Sequence, residues 1–350
     1  MLNNLKIIDA STVLAGPSVA TFFAELGAEV IKIEHPKHPD VTRSWKLPSE
    51  DEASQVSAYF SSINYKKSYQ KLDLKSEMDK NTFLKLVETA DILITNFKKG
   101  DAEKFGIEDD VLLKNNPRLI HGKINGYGSD SERVAYDLIL QAESGFMSMN
   151  GTPESGPVKM PVALIDVLAG HHLKEGILLA LYQREQFGRG KAVTVSLYDA
   201  AISSLVNQAS NFLMGGKVPK RIGSLHPNIA PYGEIFETKD KALVTFAIGS
   251  DMHFQKLCEL LNLNELPSNK LFSHNQSRVA NRVELATLLS EKVNQLEASF
   301  LLNKLQDLNV PAGKIKSLDE VFEESAAQDL IRKEAIDGIQ TQRVTSVIFK

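Results

Sequence analysis

Several features are scarce in this chain of 350 residues, and each scarcity excludes a class of protein. A single cysteine, Cys258, excludes a framework of intrachain disulfides and a cysteine-based metal cluster, so we expect no metal. No run approaches the roughly 20 consecutive apolar residues of a membrane span. The first residues also lack the apolar core of a signal peptide. We therefore expect a cytoplasmic protein without a membrane segment.

The chain also lacks an excess of positive charge. Its net charge is -4, which argues against general binding of nucleic acid and requires a local basic patch for any anionic ligand. Hydrophobic residues make up 43% of the chain, an ordinary share for a globular protein. The length suffices for one large domain and one smaller domain.

The N-terminal pattern predicts a parallel sheet. Short strands are expected over 6–9 and 29–34, with a helix over 18–26 between them, which together form a strand–helix–strand unit. Gly16 lies in a turn, but the sequence lacks G-x-G-x-x-G, so no dinucleotide site is predicted. Further strands are expected over 90–95, 119–124 and 192–197, and helices over 78–88, 167–186 and 198–214.

The stretch Gly215-Gly-Lys-Val-Pro219 favours a domain boundary. We expect a large domain over 1–214 and a smaller α+β domain over 215–316, in which 233–236 and 242–248 form paired strands. A C-terminal segment over 317–350, beginning with a helix over 317–332, is expected to return to the large domain.

Two aspartates stand out among apolar neighbours. Asp166 is the lone charge in Val162-Ala-Leu-Ile-Asp-Val-Leu168, and Asp137 heads an apolar run with Gln141 one helical turn later. A buried ionised carboxylate is costly unless it is paired, so a chain that keeps one uses it or caps a helix with it. Because a helical pattern follows Asp166, its role as a helix N-cap is the structural alternative to catalysis.

Nine lysines lie between Lys66 and Lys104, interleaved with acidic residues. For most of them this pattern indicates a solvated helix surface. Asn96 and Phe97 follow the strand expected over 90–95, at the carboxyl edge where open parallel sheets bind ligands.

Taken together, these pieces resemble the family III CoA-transferases (the CaiB/BaiF family), which include formyl-CoA transferase and α-methylacyl-CoA racemase. The resemblance runs from about Leu5 to about Phe322. The motifs that carry it are Val13-Leu-Ala-Gly-Pro17, Leu26-Gly-Ala-Glu-Val-Ile-Lys-Ile-Glu34, Asp40-Val-Thr-Arg43, Asn96-Phe97, Tyr136-Asp137, Gln141-Ala142, Asp166, Gly188-Arg-Gly190 and His226-Pro-Asn-Ile-Ala-Pro-Tyr232.

The resemblance implies an α/β fold with a large Rossmann-like domain, a smaller α+β domain and an interlocked homodimer. It implies transfer of CoA from an acyl-CoA to a free carboxylic acid, with Asp166 as the covalent nucleophile and Asp137 as a supporting acid. Coenzyme A would then be substrate and product. The positions that match its cradle are Leu72, Lys75, Asn96, Phe97 and Lys104, with Arg43 as a weaker candidate.

One departure separates this sequence from the racemases. They have histidine just before the supporting acid, where this chain has Tyr136. A tyrosine of ordinary pKa, about 10, is a poor general base near neutrality. The transferase is therefore favoured, while a racemase with another second base and a catalytically silent CoA-binding protein remain the alternatives.

Overall fold

The computed structural model describes residues 1–349 and divides into two compact units. The large unit comprises Met1–Met149, Val158–Lys220 and the chain from Ala326 onward, and the small unit comprises Asn150–Pro157 and Arg221–Ser325. Within the described residues, none of the helices has both the length and the apolar character to cross a membrane. The cytoplasmic location stays a prediction.

The chain forms eleven strands and sixteen α-helices within residues 1–349. The strands are β1 (Lys6–Ala10), β2 (Glu29–Glu34), β3 (Lys67–Lys71), β4 (Ile92–Thr95), β5 (Ile120–Asn125), β6 (Ala192–Ser196), β7 (Tyr232–Glu237), β8 (Leu243–Ala247), β9 (Ala312–Lys314), β10 (Ile331–Ile336) and β11 (Ile339–Val344). The helices are α1 (Ala15–Glu25), α2 (Ala58–Ser62), α3 (Glu77–Glu88), α4 (Asp101–Phe105), α5 (Asp109–Asn115), α6 (Asp137–Glu143), α7 (Phe146–Met149), α8 (Leu164–Phe187), α9 (Leu197–Ser203), α10 (Val206–Gly215), α11 (Asp251–Leu260), α12 (Asn275–Ala280), α13 (Arg282–Val293), α14 (Ala298–Asp307), α15 (Leu318–Phe322) and α16 (Ser325–Gln328).

The large unit is built on a six-stranded parallel sheet with the order β3-β2-β1-β4-β5-β6. Successive side chains of a strand point to opposite faces, so Ile7 joins the core on one face and Ile8 the core on the other. Helices cover both faces, which is why the central strands read as continuous apolar runs. The Rossmann-like α/β prediction is confirmed.

The direction of the strand order reverses between β1 and β4. At such a switch point the chain segments that leave the carboxyl ends of the two strands diverge, and a crevice opens between them. The fold therefore places its natural ligand crevice at the ends of β1 and β4.

Helices α1 and α8 pack closely on one face of the sheet. A Cβ atom at Gly170 of α8 would lie 2.9 Å from Ser18 Oγ and 3.3 Å from the carbonyl oxygen of Ala15, so the two helices meet where only glycine fits. This close approach brings the first turn of α8 near the beginning of α1.

The small unit has an antiparallel sheet of order β7-β8-β9, and helices α11, α13 and α14 share its core. Phe236 and Phe246 stack in its core with a ring separation of 5.0 Å. Cys258 is buried in the same core as a free thiol. The predicted α+β architecture is confirmed.

Several local predictions were wrong or incomplete. Helix α1 begins at Ala15, three residues before its expected start, so Gly16 lies in the first turn of that helix. The helix expected over 317–332 is two short helices, and β10 begins at Ile331 and forms a hairpin with β11. The helix expected over 198–214 is broken after Ser203, and Val206 has a φ of +43°. Strand β3 was not predicted, because Lys-Ser-Tyr-Gln-Lys has no apolar alternation.

Candidate active site

A cavity of about 230 Å³ lies within the large unit at the switch point between β1 and β4. Its walls come from the β1–α1 turn (12–15), the segment after β4 (96–99), the end of β5 (124–126), the loop 131–136, and Asp166 and Leu197. The carboxyl edge predicted to bind a ligand therefore does contain a cavity.

Asp166 lies in the first turn of α8 and is 7% exposed. The helix begins at Leu164 and its N-cap residue is Ala163. The alternative in which Asp166 is the N-cap is therefore wrong. Within residues 1–349, the Asp166 carboxylate has no hydrogen-bond donor. A buried carboxylate without such a donor is costly, which makes Asp166 a candidate for chemical use.

Asp137 makes the contact that a helix cap would make. Its Oδ1 accepts a hydrogen bond from the backbone N–H of Ile165 at 2.7 Å, in the first turn of α8. Its Oδ2 accepts one from Gln141 Nε2 at 2.6 Å, across one turn of α6. Asp137 thus fixes the beginning of α8 and, with it, the position of Asp166.

Burial raises the pKa of Asp166 to about 7, and the nearby charge of Asp137 adds to this shift. A carboxylate with such a pKa is poorly solvated, weakly stabilised and partly ionised near neutrality. Burial, followed by the charges of Asp166, Asp137 and Asp40, raises the pKa of Tyr59 to about 12. The Tyr59 hydroxyl is therefore protonated beside the two acids.

A buried charge cluster adjoins the β1–α1 turn and consists of Asp9, Lys32, Asp40 and Lys67. Lys67 Nζ lies 2.8 Å from Asp9 Oδ2, and Lys32 Nζ lies 3.1 Å from Asp40 Oδ2. Burial alone would raise the pKa of Asp9, but the charges of Lys32 and Lys67 lower it to about 2. The cluster has two charges of each sign, and it explains how β3 can begin with a buried lysine.

The structure brings only some of the predicted site residues together. Asn96, Phe97 and Asp166 line the cavity. Asn96 uses its amide to hold Thr12, accepting from the Thr12 N–H at 3.0 Å and donating to the Thr12 carbonyl at 2.9 Å. Tyr136, which is 51% exposed, lines the cavity as the residue before α6.

The other predicted CoA residues lie outside this cavity. Leu72 is buried in the core just after the end of β3, and Lys75 is exposed three residues later. Lys104 is exposed on α4, 3.1 Å from Asp101. Arg43 binds Glu34 through Nε at 2.9 Å and Nη2 at 2.7 Å, which commits its guanidinium to a protein partner.

Three basic residues of the cavity wall, Lys98, Lys99 and Arg133, were not assigned to the site by the sequence. Lys98 and Lys99 were counted in the basic region without being distinguished from its surface lysines. Arg133 stands over the Tyr127 ring at 3.9 Å and binds Glu143. Lys98 and Lys99 closely follow strand β4 at the carboxyl edge, which is the signal that could have identified them. Arg133 lies farther along the loop that follows β5.

Comparison with known proteins agrees with this picture. The model of CoA-transferase family III matches residues 2–347. The chain is 35% identical over 333 residues to a succinate–glutarate CoA-transferase of Agrobacterium fabrum, covering 93% of this chain and 83% of that protein. It is 34% identical over 337 residues to an acetyl-CoA:oxalate CoA-transferase of Acetobacter aceti, covering 95% of this chain and 85% of that protein.

A crystal structure of a CaiB/BaiF family protein from Brucella suis matches with a TM-score of 0.84 at 35% identity, covering 100% of this chain and 92% of that one. The resemblance drawn from the motifs is thus confirmed, and so is the prediction of an enzyme of the CoA-transferase class. The chain belongs to CoA-transferase family III.

Proposed function

We propose that this protein transfers CoA from an acyl-CoA to a free carboxylic acid through a covalent intermediate on Asp166. The observation that carries the proposal is a buried carboxylate without a hydrogen-bond donor, in the wall of the cavity at the switch point. A carboxylate nucleophile must be accessible to substrate and weakly solvated, and both conditions hold for Asp166.

The first half of the reaction moves CoA onto the enzyme. The Asp166 carboxylate attacks the thioester carbonyl and expels CoA thiolate, which leaves a mixed anhydride of Asp166 and the acyl group. The thiolate then attacks the aspartyl carbonyl of the anhydride. The donor acid leaves as a carboxylate, and Asp166 is left as a thioester of CoA.

The second half runs the same chemistry toward the acceptor. The acceptor carboxylate attacks the aspartyl thioester and expels CoA thiolate, which gives a new mixed anhydride. The thiolate attacks the acceptor's carbonyl, so that the new acyl-CoA forms and the Asp166 carboxylate returns. Each displacement has a tetrahedral oxyanion, and water must be kept from the anhydrides.

The beginning of α1 offers donors for these oxyanions. Leu14 and Ala15 line the cavity, and their backbone N–H groups have no acceptor within residues 1–349. The positive end of the helix dipole favours negative charge at the same place. We assign the oxyanion contacts to this turn, and we assign Asp137 the role of holding the start of α8.

For CoA itself, we propose that cations along the carboxyl edge meet its phosphates. Lys98, Lys99 and Arg133 line the cavity, and Lys75 and Lys104 follow β3 and β4 at the same edge of the sheet. Asn96 and Phe97 form the wall beside the β1–α1 turn, with Leu72 buried at the end of β3. Because its guanidinium is bound to Glu34 and its side chain is only 10% exposed, we assign Arg43 to the scaffold.

For the acids, we propose small dicarboxylates as donor and acceptor. The two similar transferases named above are described by succinate, glutarate and oxalate, which are all dicarboxylic acids. The second carboxylate of such an acid requires a cation, and we assign this contact to the cations of the cavity wall, Lys98, Lys99 and Arg133.

We also propose that the protein forms the interlocked homodimer expected from the resemblance. Apolar side chains of α8 and α10 are unusually exposed in the single chain, with Phe187 at 72% and Leu213 at 78%. Large exposed apolar surfaces mark contact with another molecule. Light scattering should give the mass of a dimer, and a monomeric mass at micromolar concentration would contradict this assignment.

The activity is tested by incubating purified protein with pairs of acyl-CoAs and free dicarboxylic acids, followed by mass spectrometry of the CoA products. We expect exchange of CoA between at least one pair of acids. In heavy water, we expect negligible deuterium in a 2-methylacyl-CoA. Rapid exchange at the α-carbon would favour a racemase, and CoA binding without any product would favour a catalytically silent protein.

A further inference from the structure

Val13 has a backbone conformation that its residue type disfavours. Its φ is +72°, in the left-handed region where a β-branched side chain crowds the backbone. Val13 lines the cavity that contains Asp166. A conformation of this kind persists only where surrounding contacts enforce it, and such positions cluster at functional sites.

The carboxylate of Asp40 supplies an enforcing contact. The Val13 N–H donates to both of its oxygens, at 3.3 Å to Oδ1 and 3.2 Å to Oδ2. Asn96 holds the preceding residue, Thr12, through both its N–H and its carbonyl. Side chains from two distant segments therefore clamp two successive residues of the β1–α1 turn.

Asp40 is 2% exposed and is itself tightly held. Its Oδ1 accepts from the N–H and the hydroxyl of Thr42, at 3.1 Å and 2.8 Å. Its Oδ2 lies 3.1 Å from Lys32 Nζ, and its own N–H donates to Glu34 Oε1 at 3.0 Å. Both carboxylate oxygens face donors, so the position of the carboxylate relative to Val13 is fixed.

The conformation of Val13 affects the site through the two residues that follow it. Leu14 and Ala15 begin α1 with unpaired N–H groups in the cavity wall, and the direction of these groups depends on the conformation of Val13. We propose that Asp40 is a positioning residue for CoA transfer. It holds Val13 in the left-handed conformation and thereby aims the Leu14 and Ala15 N–H groups at the oxyanion formed beside Asp166. This inference rests on the proposed function.

The test combines substitutions at both ends of the contact. Asp40→Glu keeps a negative charge beside Lys32 but displaces the carboxylate from the Val13 N–H. It should lower kcat by about 5- to 30-fold, the factor that corresponds to the penalty of a left-handed non-glycine residue. KM for acyl-CoA should change by less than about threefold, because the lost interaction acts in the transition state.

The decisive variant adds Val13→Gly to Asp40→Glu. Glycine adopts the left-handed region without a penalty, so kcat should recover by about fivefold or more relative to Asp40→Glu alone. A role of Asp40 in stability alone predicts no such recovery. If the Asp40→Glu variant does not fold, Asp40→Asn with and without Val13→Gly serves as the second pair.

Glu25 offers a matched control at the opposite end of α1. It is also a carboxylate that accepts from backbone N–H groups, at 2.8 Å from Ser346 and 3.2 Å from Val347, and it pairs with Arg343. Glu25→Gln should lower the unfolding midpoint and leave kcat unchanged. Adding Val13→Gly to this variant should not raise kcat. Equal losses of kcat in Glu25→Gln and Asp40→Glu would overturn the proposal.

A crystal structure of the Asp40→Glu variant gives an outcome independent of turnover. We expect residue 13 to leave the left-handed region. If Val13 keeps its conformation without the Asp40 contact, the proposal is overturned whatever the activity. If the wild-type protein transfers no CoA, the proposed function fails separately, and this structure still decides whether Asp40 controls the turn.

Discussion

Asp9 and Asp166 are two buried carboxylates of the same unit with opposite surroundings. Asp9 is fully buried and contacts Lys67, Lys32 and Ser11, and the two lysines lower its pKa to about 2. Asp166 is nearly as buried, has no donor within residues 1–349, and has a pKa that burial raises to about 7. Similar burial is thus accompanied by a lowered pKa where cations face the carboxylate and by a raised pKa where none does.

The difference lies in partners that are remote in sequence. Asp9 follows Ile7 and Ile8 and precedes Ala10, an aliphatic setting as plain as that of Asp166. Its partner Lys67 comes 58 residues later. Aliphatic flanks alone therefore do not show whether a buried carboxylate faces a cation, and it is this partner that decides the direction of the pKa shift.

The largest expected effect is that of Asp166→Asn on turnover. An amide cannot form the anhydride, so kcat should fall by about a thousandfold or more. The variant should keep its circular dichroism spectrum and bind CoA with wild-type affinity. An active Asp166→Asn enzyme would remove the nucleophile assignment.

Lys67→Met should instead act on the fold. The substitution removes the ammonium group that lies 2.8 Å from Asp9 Oδ2. Loss of one member of a buried ion pair lowers the free energy of unfolding by about 3–5 kcal/mol. Urea denaturation at pH 7 measures the change in the free energy of unfolding. A loss below about 1 kcal/mol would mean that the buried charge cluster is not structural.

The pH dependence of stability sharpens the comparison. The pKa of Asp166 is about 3.9 in the unfolded chain and about 7 in the folded chain. At pH values between these two, the folded chain binds more protons at Asp166 than the unfolded chain, so the stability that this residue contributes falls as pH rises. Asp166→Asn lacks this fall. Relative to wild type, the variant should gain roughly 2–4 kcal/mol between pH 4 and pH 7.5.

Urea denaturation of both proteins at several pH values measures this relative gain. Asp9 has the opposite shift, and its folded pKa of about 2 lies below this range, so its contribution remains present above pH 4. Parallel stability curves for the wild type and Asp166→Asn would contradict the raised pKa of Asp166.

The smallest expected effect is that of Lys104→Ala on CoA affinity. Lys104 is exposed and already pairs with Asp101, so the phosphate contact proposed for it should be weak and screened by salt. We expect a loss of about two- to fivefold at low ionic strength that disappears at high salt. Calorimetry at two salt concentrations measures it, and unchanged affinity at low salt would remove Lys104 from the cradle.

The apolar elements of the fold were predictable from the sequence. The predicted bounds of β2 are the observed ones. The bounds of β1, β4, β5 and α3 differ from expectation by one or two residues at one or both ends. Strand β3 was missed because a lysine such as Lys67 is expected at the surface, and the sequence alone does not show that it pairs with the buried Asp9. The β10–β11 hairpin was missed although Asp337-Gly338 is a strong turn signal.

Within the candidate site, the sequence singled out the two acids, whose catalytic roles stay predictions. Local patterns placed Asp137 and Gln141 one turn apart, and they do share a hydrogen bond. They could not show that Asp137, from another helix, occupies the capping role considered for Asp166. They also could not show the contacts of Asp40 with Val13 and of Asn96 with Thr12, because these residues come together only in the folded sheet.

The most direct test of the account is a peptide mass map of wild-type protein incubated with an acyl-CoA and trapped with hydroxylamine. Hydroxylamine attacks an aspartyl anhydride or thioester and leaves a hydroxamate on the residue that carried it. We predict a single modified position, Asp166, dependent on acyl-CoA. Modification of Asp137 instead, or turnover without any modified aspartate, would contradict the contrast between the paired and the unpaired carboxylate.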